Sequence, residues 1–284
     1  MSTHTHVTAP TQYIQVKGNK LAYRRYGSGK GLPMVFMQHF TGTMDNWDPA
    51  VMDALAKDRE VIIFNTTGIS SSEGEPKNNT AAIASDAAAF IDALGLQQID
   101  LLGFSMGSFA AQQLTLDRPE LVRKLILVGS GPRGGEGLDT FSPLVWDILS
   151  RTYDPADELL LDTFFTPSEA SQQAGRRFLD RIRARVENRD PAISDKVVPA
   201  QLAAITAWGT KHEGSYDYLK EIKVPVLIVS GHDDIIFPTV NNYILQQHLP
   251  DAQLIIYPDT NHGSIYQYPE LFVIQVNLFL KGIA

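Results

Sequence analysis

A serine held between glycines, in Gly103-Phe104-Ser105-Met106-Gly107, is the first candidate nucleophile in the chain. A serine hydroxyl attacks poorly until a base takes its proton, and the base needs a carboxylate to fix its tautomer and balance its charge. Both follow later in the chain. Two adjacent carboxylates, Asp233 and Asp234, stand in Gly231-His232-Asp233-Asp234-Ile235-Ile236-Phe237-Pro238, and a histidine, His262, in Pro258-Asp259-Thr260-Asn261-His262-Gly263. A glycine-rich turn alone would explain the first motif, and most of the seven histidines should be surface residues. What favours chemistry is the order serine, acid, histidine, each just past a strand-like run. The three types together support attack on a carbonyl carbon through a covalent acyl intermediate, with no metal and no organic cofactor.

The elements around these residues must position them. Ile99 to Phe104 is apolar without alternation, as a strand buried on both faces must be, and Phe109 to Leu116 reads as a helix, so Ser105 falls at a strand-to-helix turn. So tight a turn strains the serine backbone, and glycine at 103 and 107 keeps strand and helix from colliding. Further buried runs cover Pro33 to Gln38, Val61 to Phe64, Lys124 to Val128, Val226 to Ser230 and Gln253 to Tyr257. Tyr13 to Val16 and Leu21 to Tyr26 flank a turn pair, Gly18-Asn19, and predict an opening hairpin. Thr80 to Leu94 reads as a helix capped by Thr80 and stopped by Gly95, with further helices over Val240 to Leu249 and Pro269 to Leu280. Strands alternating with helices imply right-handed crossovers and a mostly parallel sheet with helices on both faces. Catalytic groups gather at the carboxyl ends of such strands, where the Asp234 and His262 loops begin.

After Gly129-Ser130-Gly131-Pro132-Arg133-Gly134-Gly135 no buried strand is evident until Val226. Helices are expected over Pro143 to Thr152, Ala156 to Phe165, Ser168 to Val186 and Pro199 to Gly209. The chain therefore divides into a core at 1–132, a helical cap at 133–222 and the rest of the core at 223–284.

Composition narrows the functional class. Of 284 residues 44% are hydrophobic, which supplies a large core. The net charge of −8, without a block of Lys and Arg, argues against nucleic acid as partner. The absence of cysteine excludes disulfides, thiolate metal sites and a cysteine nucleophile, and fits a reducing cytoplasm. The polar start, Met1 to Pro10, lacks a signal-peptide stretch, and no run reaches membrane-spanning length, so a cytoplasmic protein without membrane contact is expected. His4 and His6 are read as part of a frayed terminus rather than as metal ligands. Homo-oligomerisation stays open.

With Gln38-His39-Phe40-Thr41-Gly42, Gly103 to Gly107, the Gly231, Asp234 and Pro238 spacing and Asn261-His262-Gly263 in view, the chain resembles the α/β-hydrolase fold family over nearly its whole length. The nearest resemblance is to its capped esterases, lactonases and cofactor-free haloperoxidases. It implies an α/β fold with a mostly parallel sheet of eight strands, matching the eight runs above, and a helical cap over the nucleophile. It also implies that the Phe40 and Met106 backbone N–H groups form the oxyanion hole, that His39 is structural, and that the Phe40 ring lines the acyl pocket. The family spacing places the acid three residues after Gly231 and four before Pro238, which selects Asp234 over Asp233. Cap aromatics supply much of the pocket in the family, which points to Trp146, Phe164, Phe165 and Trp208, with Tyr153 beside them. The arginines from Arg176 to Arg189 are expected on a solvated helix face. In one place the chain departs from the pattern: after Val61 to Phe64 relatives carry an aspartate, and here Asn65 stands. The activity implied is hydrolysis of a carboxylic ester or lactone. A cofactor-free haloperoxidase or perhydrolase and a carbon–carbon bond hydrolase share the same triad, and a non-catalytic ligand receptor on this fold is the reading from another class. Serine at the turn argues against haloalkane dehalogenases and epoxide hydrolases, which carry aspartate there.

Overall fold

The computed structural model describes residues 4–282. The chain opens with the hairpin β1 (Gln12–Val16) and β2 (Asn19–Gly27). Its turn is Lys17-Gly18, both at positive φ (48° and 84°), one residue earlier than the sequence suggested. That geometry matches the twist of the two strands. There follow β3 (Met34–Met37), α1 (Pro49–Ala56), β4 (Glu60–Phe64), α2 (Thr80–Ala93), β5 (Ile99–Phe104), α3 (Met106–Asp117) and β6 (Val122–Val128). The expected strands are all present with small shifts at their ends. Helix α1 was not anticipated, although Asp48 caps it by accepting from Ala50 N and Pro49 occupies its first turn. In α2 the cap is Asn79, which accepts from Ala82 N, rather than Thr80.

Four helices lie between β6 and the next strand: α4 (Pro143–Ser150), α5 (Leu159–Phe164), α6 (Glu169–Arg183) and α7 (Val197–Gly209). Then come β7 (Val226–Gly231), α8 (Val240–His248), β8 (Ala252–Tyr257), the short α9 (Ser264–Gln267) and α10 (Pro269–Lys281). The eight strands form one sheet in the order β1-β2-β4-β3-β5-β6-β7-β8. Only the pairings of β2 with β1 and β4 are antiparallel. No helix among the described residues is long and apolar enough to cross a membrane.

Alternate side chains of each central strand enter two separate apolar layers. Val35, Leu101, Leu125 and Ile228 face α2, α3 and α8, whereas Phe36, Leu102, Ile126 and Leu227 face α1 and α10. The inserted helices join both layers. Ala204, Ile205 and Trp208 of α7 enter the first, and Leu161, Phe164, Phe178 and Ile182 of α5 and α6 enter the second. The insertion thus packs as an extension of the core on both sides of the sheet.

Two expectations about charge and order are corrected. The arginine series does not share one solvated face. Arg176 and Arg177 are exposed, but Arg181 grips Asp48 through two bonds (2.7 and 2.6 Å), and Arg185 is buried, donating to the carbonyls of His6 and Val7. The residues around His6 are consequently held rather than frayed. His6 is buried, its Nδ1 lies 2.7 Å from the Tyr26 hydroxyl, and burial, reinforced by Arg24, lowers its pKa to about 3. The family's altered position, Asn65, also meets this region. Asn65 Nδ2 donates to Asp190 Oδ1 at 2.9 Å, where an aspartate would set two carboxylates face to face.

Candidate active site

Ser105 stands between β5 and α3 with φ 55° and ψ −127°, a backbone conformation that a non-glycine residue keeps only when its surroundings enforce it. Those surroundings are legible. Ser105 N donates to Val128 O on β6 (2.9 Å), and Ser108 Oγ donates back to Ser105 O (2.5 Å). A Cβ on Gly103 would lie 2.5 Å from Ser108 Cα, so this glycine does let strand and helix close up. Gly107 does something different. A Cβ there would lie 2.6 Å from Gln38 O, so it makes room for the chain leaving β3.

That chain forms a turn held largely by its own side chains. His39 N donates to Gln38 Oε1 (2.9 Å), His39 Nδ1 lies 2.8 Å from Phe40 O, and Gly42 N donates to His39 O (3.1 Å). His39 is buried, and burial lowers its pKa to about 4, so the ring is neutral near pH 7. Met106 N–H opens α3 and is one of the donors a helix leaves without a partner of its own.

The loops after β7 and β8 bring Asp234 and His262 together. His262 Nδ1 lies 2.8 Å from Asp234 Oδ2, and the other carboxylate oxygen accepts from Ile236 N and Phe237 N, each at 2.9 Å. Both side chains are buried. Asp233 turns outward and lies 2.9 Å from His232 Nδ1 on the surface. Asn261 ties the two loops: its Oδ1 accepts from Ile235 N and from His262 N, each at 2.9 Å. Rings of Phe104 and Phe237 flank the imidazole at centroid distances of 5.2 and 5.3 Å. Gly129, at the end of β6, supplies the remaining space, since a Cβ there would sit 3.0 Å from two imidazole atoms. Gly129 and Asn261 had no assigned role from sequence. Gly129 opens the glycine-rich run after β6, and Asn261 precedes His262 directly, so both were visible without their function.

Ser105 and His262 line one cavity of about 270 Å³. His262 Nε2, the nitrogen turned away from Asp234, makes no hydrogen bond. Of the expected pocket residues, Phe40, Trp146 and Phe164 line this cavity. Phe165 and Trp208 do not. Phe165 is buried against Phe178 and borders another, open groove, together with Asp233. Trp208 stacks on Phe109 at 5.1 Å and donates Nε1–H to Gly131 O, so it fastens α7 to the core. Tyr153 hydrogen-bonds Asp162. The sequence reading missed much of the cavity wall, including Thr163, Leu202, Ile205 and Phe237. Among the described residues no group of His, Asp or Glu is arranged to hold a metal ion.

The profile of the α/β hydrolase fold matches residues 33–269. A solved α/β hydrolase fold protein from Chitinophaga pinensis is 43% identical and superposes with a TM-score of 0.92 over 98% of this chain and 99% of its own. A Mycobacterium tuberculosis protein with the provisional name non-heme bromoperoxidase BpoC is 26% identical over 264 residues, covering 88% of this chain and 93% of that protein. A pimeloyl-(acyl-carrier protein) methyl ester esterase from Nitrosomonas europaea is 31% identical over 181 residues, 60% of this chain and 67% of that protein.

Proposed function

Because the chain belongs to the α/β hydrolase fold family, we propose that it is a serine hydrolase of small, uncharged carboxylic esters or lactones, with Ser105, His262 and Asp234 as its catalytic triad. The observation that carries the reading is the buried pair of Asp234 and His262: His262 lines the same cavity as Ser105, and its Nε2 is left without a hydrogen-bond partner.

In this reading Ser105 Oγ attacks the carbonyl carbon while His262 Nε2 takes its proton, and the carbonyl π pair moves onto oxygen. Phe40 and Met106 N–H groups bind that oxyanion, each worth roughly 3 to 4 kcal/mol where such donors have been removed in other enzymes. Collapse of the tetrahedral species expels the alkoxide, which takes the proton from His262. Water then repeats the sequence on the acyl-serine, with His262 again as base, and releases the acid. Asp234 holds the imidazole in one tautomer and balances its charge while it is protonated.

The cavity supports the substrate class. No Asp, Glu, Lys or Arg is among its lining residues, so a substrate carboxylate would be desolvated without a counter-charge. This disfavours carboxylate-bearing substrates, whether the bond cleaved is an ester or a carbon–carbon bond. Its volume, about 270 Å³, falls just below the roughly 300 to 1,000 Å³ of ordinary ligand sites and favours a compact substrate.

A panel of p-nitrophenyl esters and simple lactones tests the reading. Short neutral members should turn over, and Ser105→Ala should fold normally and lose about 10⁴- to 10⁶-fold in kcat. A phosphonate probe should label Ser105 alone. Substantial hydrolysis by the folded alanine variant would remove the nucleophile assignment. Peroxide added with a halide separates hydrolysis from acyl transfer to peroxide: halogenation outpacing hydrolysis would make the perhydrolase reading the better one.

A further inference from the structure

We propose that Gln201 is a positioning residue through which the inserted helices set the oxyanion donor at Phe40. The inference rests on the reading above, in which the Phe40 N–H binds the oxyanion. Thr41, directly after Phe40, has φ 60°, a left-handed conformation that a β-branched residue adopts only under constraint. The bonds of Gln38, His39 and Gly42 tie the turn to itself. Gln201 ties it to α7: its Oε1 accepts the Thr41 N–H at 2.6 Å, and the residue is buried.

The peptide geometry makes this bond consequential. The Phe40 carbonyl and the Thr41 N–H belong to one rigid plane, held on one side by His39 Nδ1 and on the other by Gln201. The preceding plane, which carries the Phe40 N–H, is fixed through the His39 carbonyl by Gly42 N. Release of Thr41 from its strained φ would move Gly42 and let the first plane rotate with it. The donor would then leave the place it must occupy.

Helix α7 also faces the substrate. Val198, Leu202 and Ile205 recur at helical spacing, line the cavity, and flank Gln201. A substrate that seats this helix badly therefore disturbs the same element that holds Thr41, so poor fit should appear in kcat as well as in KM.

The test compares Gln201→Met, which keeps the length and removes the acceptor, with Gln201→Glu, which keeps a carbonyl oxygen, both on the short ester that the wild-type protein hydrolyses best. We expect the Met variant to lose roughly 10- to 100-fold in kcat, the scale of a misplaced catalytic group, with KM within about threefold. Its affinity for a trifluoromethyl ketone inhibitor should fall by a similar factor, and the Glu variant should recover most of both. Unchanged kcat in a folded Met variant, or equal loss in the Glu variant, overturns the proposal. Should the Met variant not fold, hydrogen exchange of the wild-type protein decides: the Thr41 amide should open together with the amides of α7, and exchange of Thr41 while α7 stays protected overturns it. Failure of the parent reading looks different, as absence of Ser105-dependent turnover before any Gln201 variant is made.

Discussion

Two buried polar clusters of this protein are made from similar residues, and we assign them different tasks. In one, Asp234 holds His262 at 2.8 Å. In the other, Arg24 donates to Asp45 at 2.5 Å, Arg185 lies 3.7 Å from the same carboxylate, and His6 rests on Tyr26. Both sets of side chains are buried, so burial and titratable chemistry do not distinguish them. What differs is the unused valence. Arg24 also donates to Thr11 and the Asn188 carbonyl, whereas His262 Nε2 has no partner and its residue lines a cavity shared with a strained serine. Asp190 Oδ2 in the ion cluster is also unpartnered, and burial and then Asp45 push its carboxyl upward, but Asp190 is not among the residues that line the cavity of Ser105. A buried polar atom marks a site when it is left open beside room for a ligand.

The largest effect is expected at the two adjacent carboxylates. Asp234→Asn should lower kcat about 10⁴-fold, the magnitude the corresponding change has in another triad enzyme, because the amide stabilises the wrong histidine tautomer. Asp233→Asn should change it by no more than about threefold, since Asp233 faces out. If the two results were exchanged, the outward carboxylate would have to be reassigned as the partner of His262.

The ion cluster should answer in stability instead. Asp45→Ala leaves Arg24 buried without its closest counter-charge and should cost about 3 to 5 kcal/mol in urea unfolding, with kcat per folded molecule nearly unchanged. A tenfold fall in kcat at full folding would mean that the two clusters are coupled.

Acid separates the two regions further, because one histidine kept neutral by burial belongs to the ion cluster, His6 at about 3, and another lines the cavity beside His262, His39 at about 4. In the unfolded chain both titrate near 6.5. Their contribution to stability is therefore complete above pH 6.5 and is lost as pH falls towards 4 for His39 and towards 3 for His6, at up to about 1.4 kcal/mol per pH unit for each. Unfolding measured from pH 7 to 4 should show this slope, and His6→Gln and His39→Gln should each flatten it. A slope unchanged in both variants would assign the acid sensitivity to carboxylates.

The smallest expected effect lies in the cavity wall. Trp146→Ala should reorder the ester panel by a few-fold in kcat/KM, about 1 kcal/mol, because Trp146 lines the cavity at its exposed rim. Phe165→Ala should leave the order intact while lowering stability by about 3 to 5 kcal/mol. Reordering by the second variant and not the first would put Phe165 at the substrate.

Strand and helix alternation, the strand-to-helix turn at Ser105 and the order of acid and histidine behind it were legible from the residues without any fold. These are local: period, turn residues and caps act within a few neighbours, and Gly103 serves the same purpose in any such turn. The family resemblance added the choice of Asp234 and the proposal of two oxyanion amides, because motif spacing preserves loop register. Tertiary structure alone decided the rest. Phe164 and Phe165 are adjacent at the end of α5 and both rings meet Phe178, yet only Phe164 reaches the cavity of Ser105, while Phe165 borders the other groove. Trp208 was lost to the pocket because Phe109, distant in sequence, offers it a stacking face. Arg185 was misread because its partners come from the chain's start. Gln201 and Thr41 lie 160 positions apart, and no local pattern announces a bond that exists only once α7 has packed onto the core.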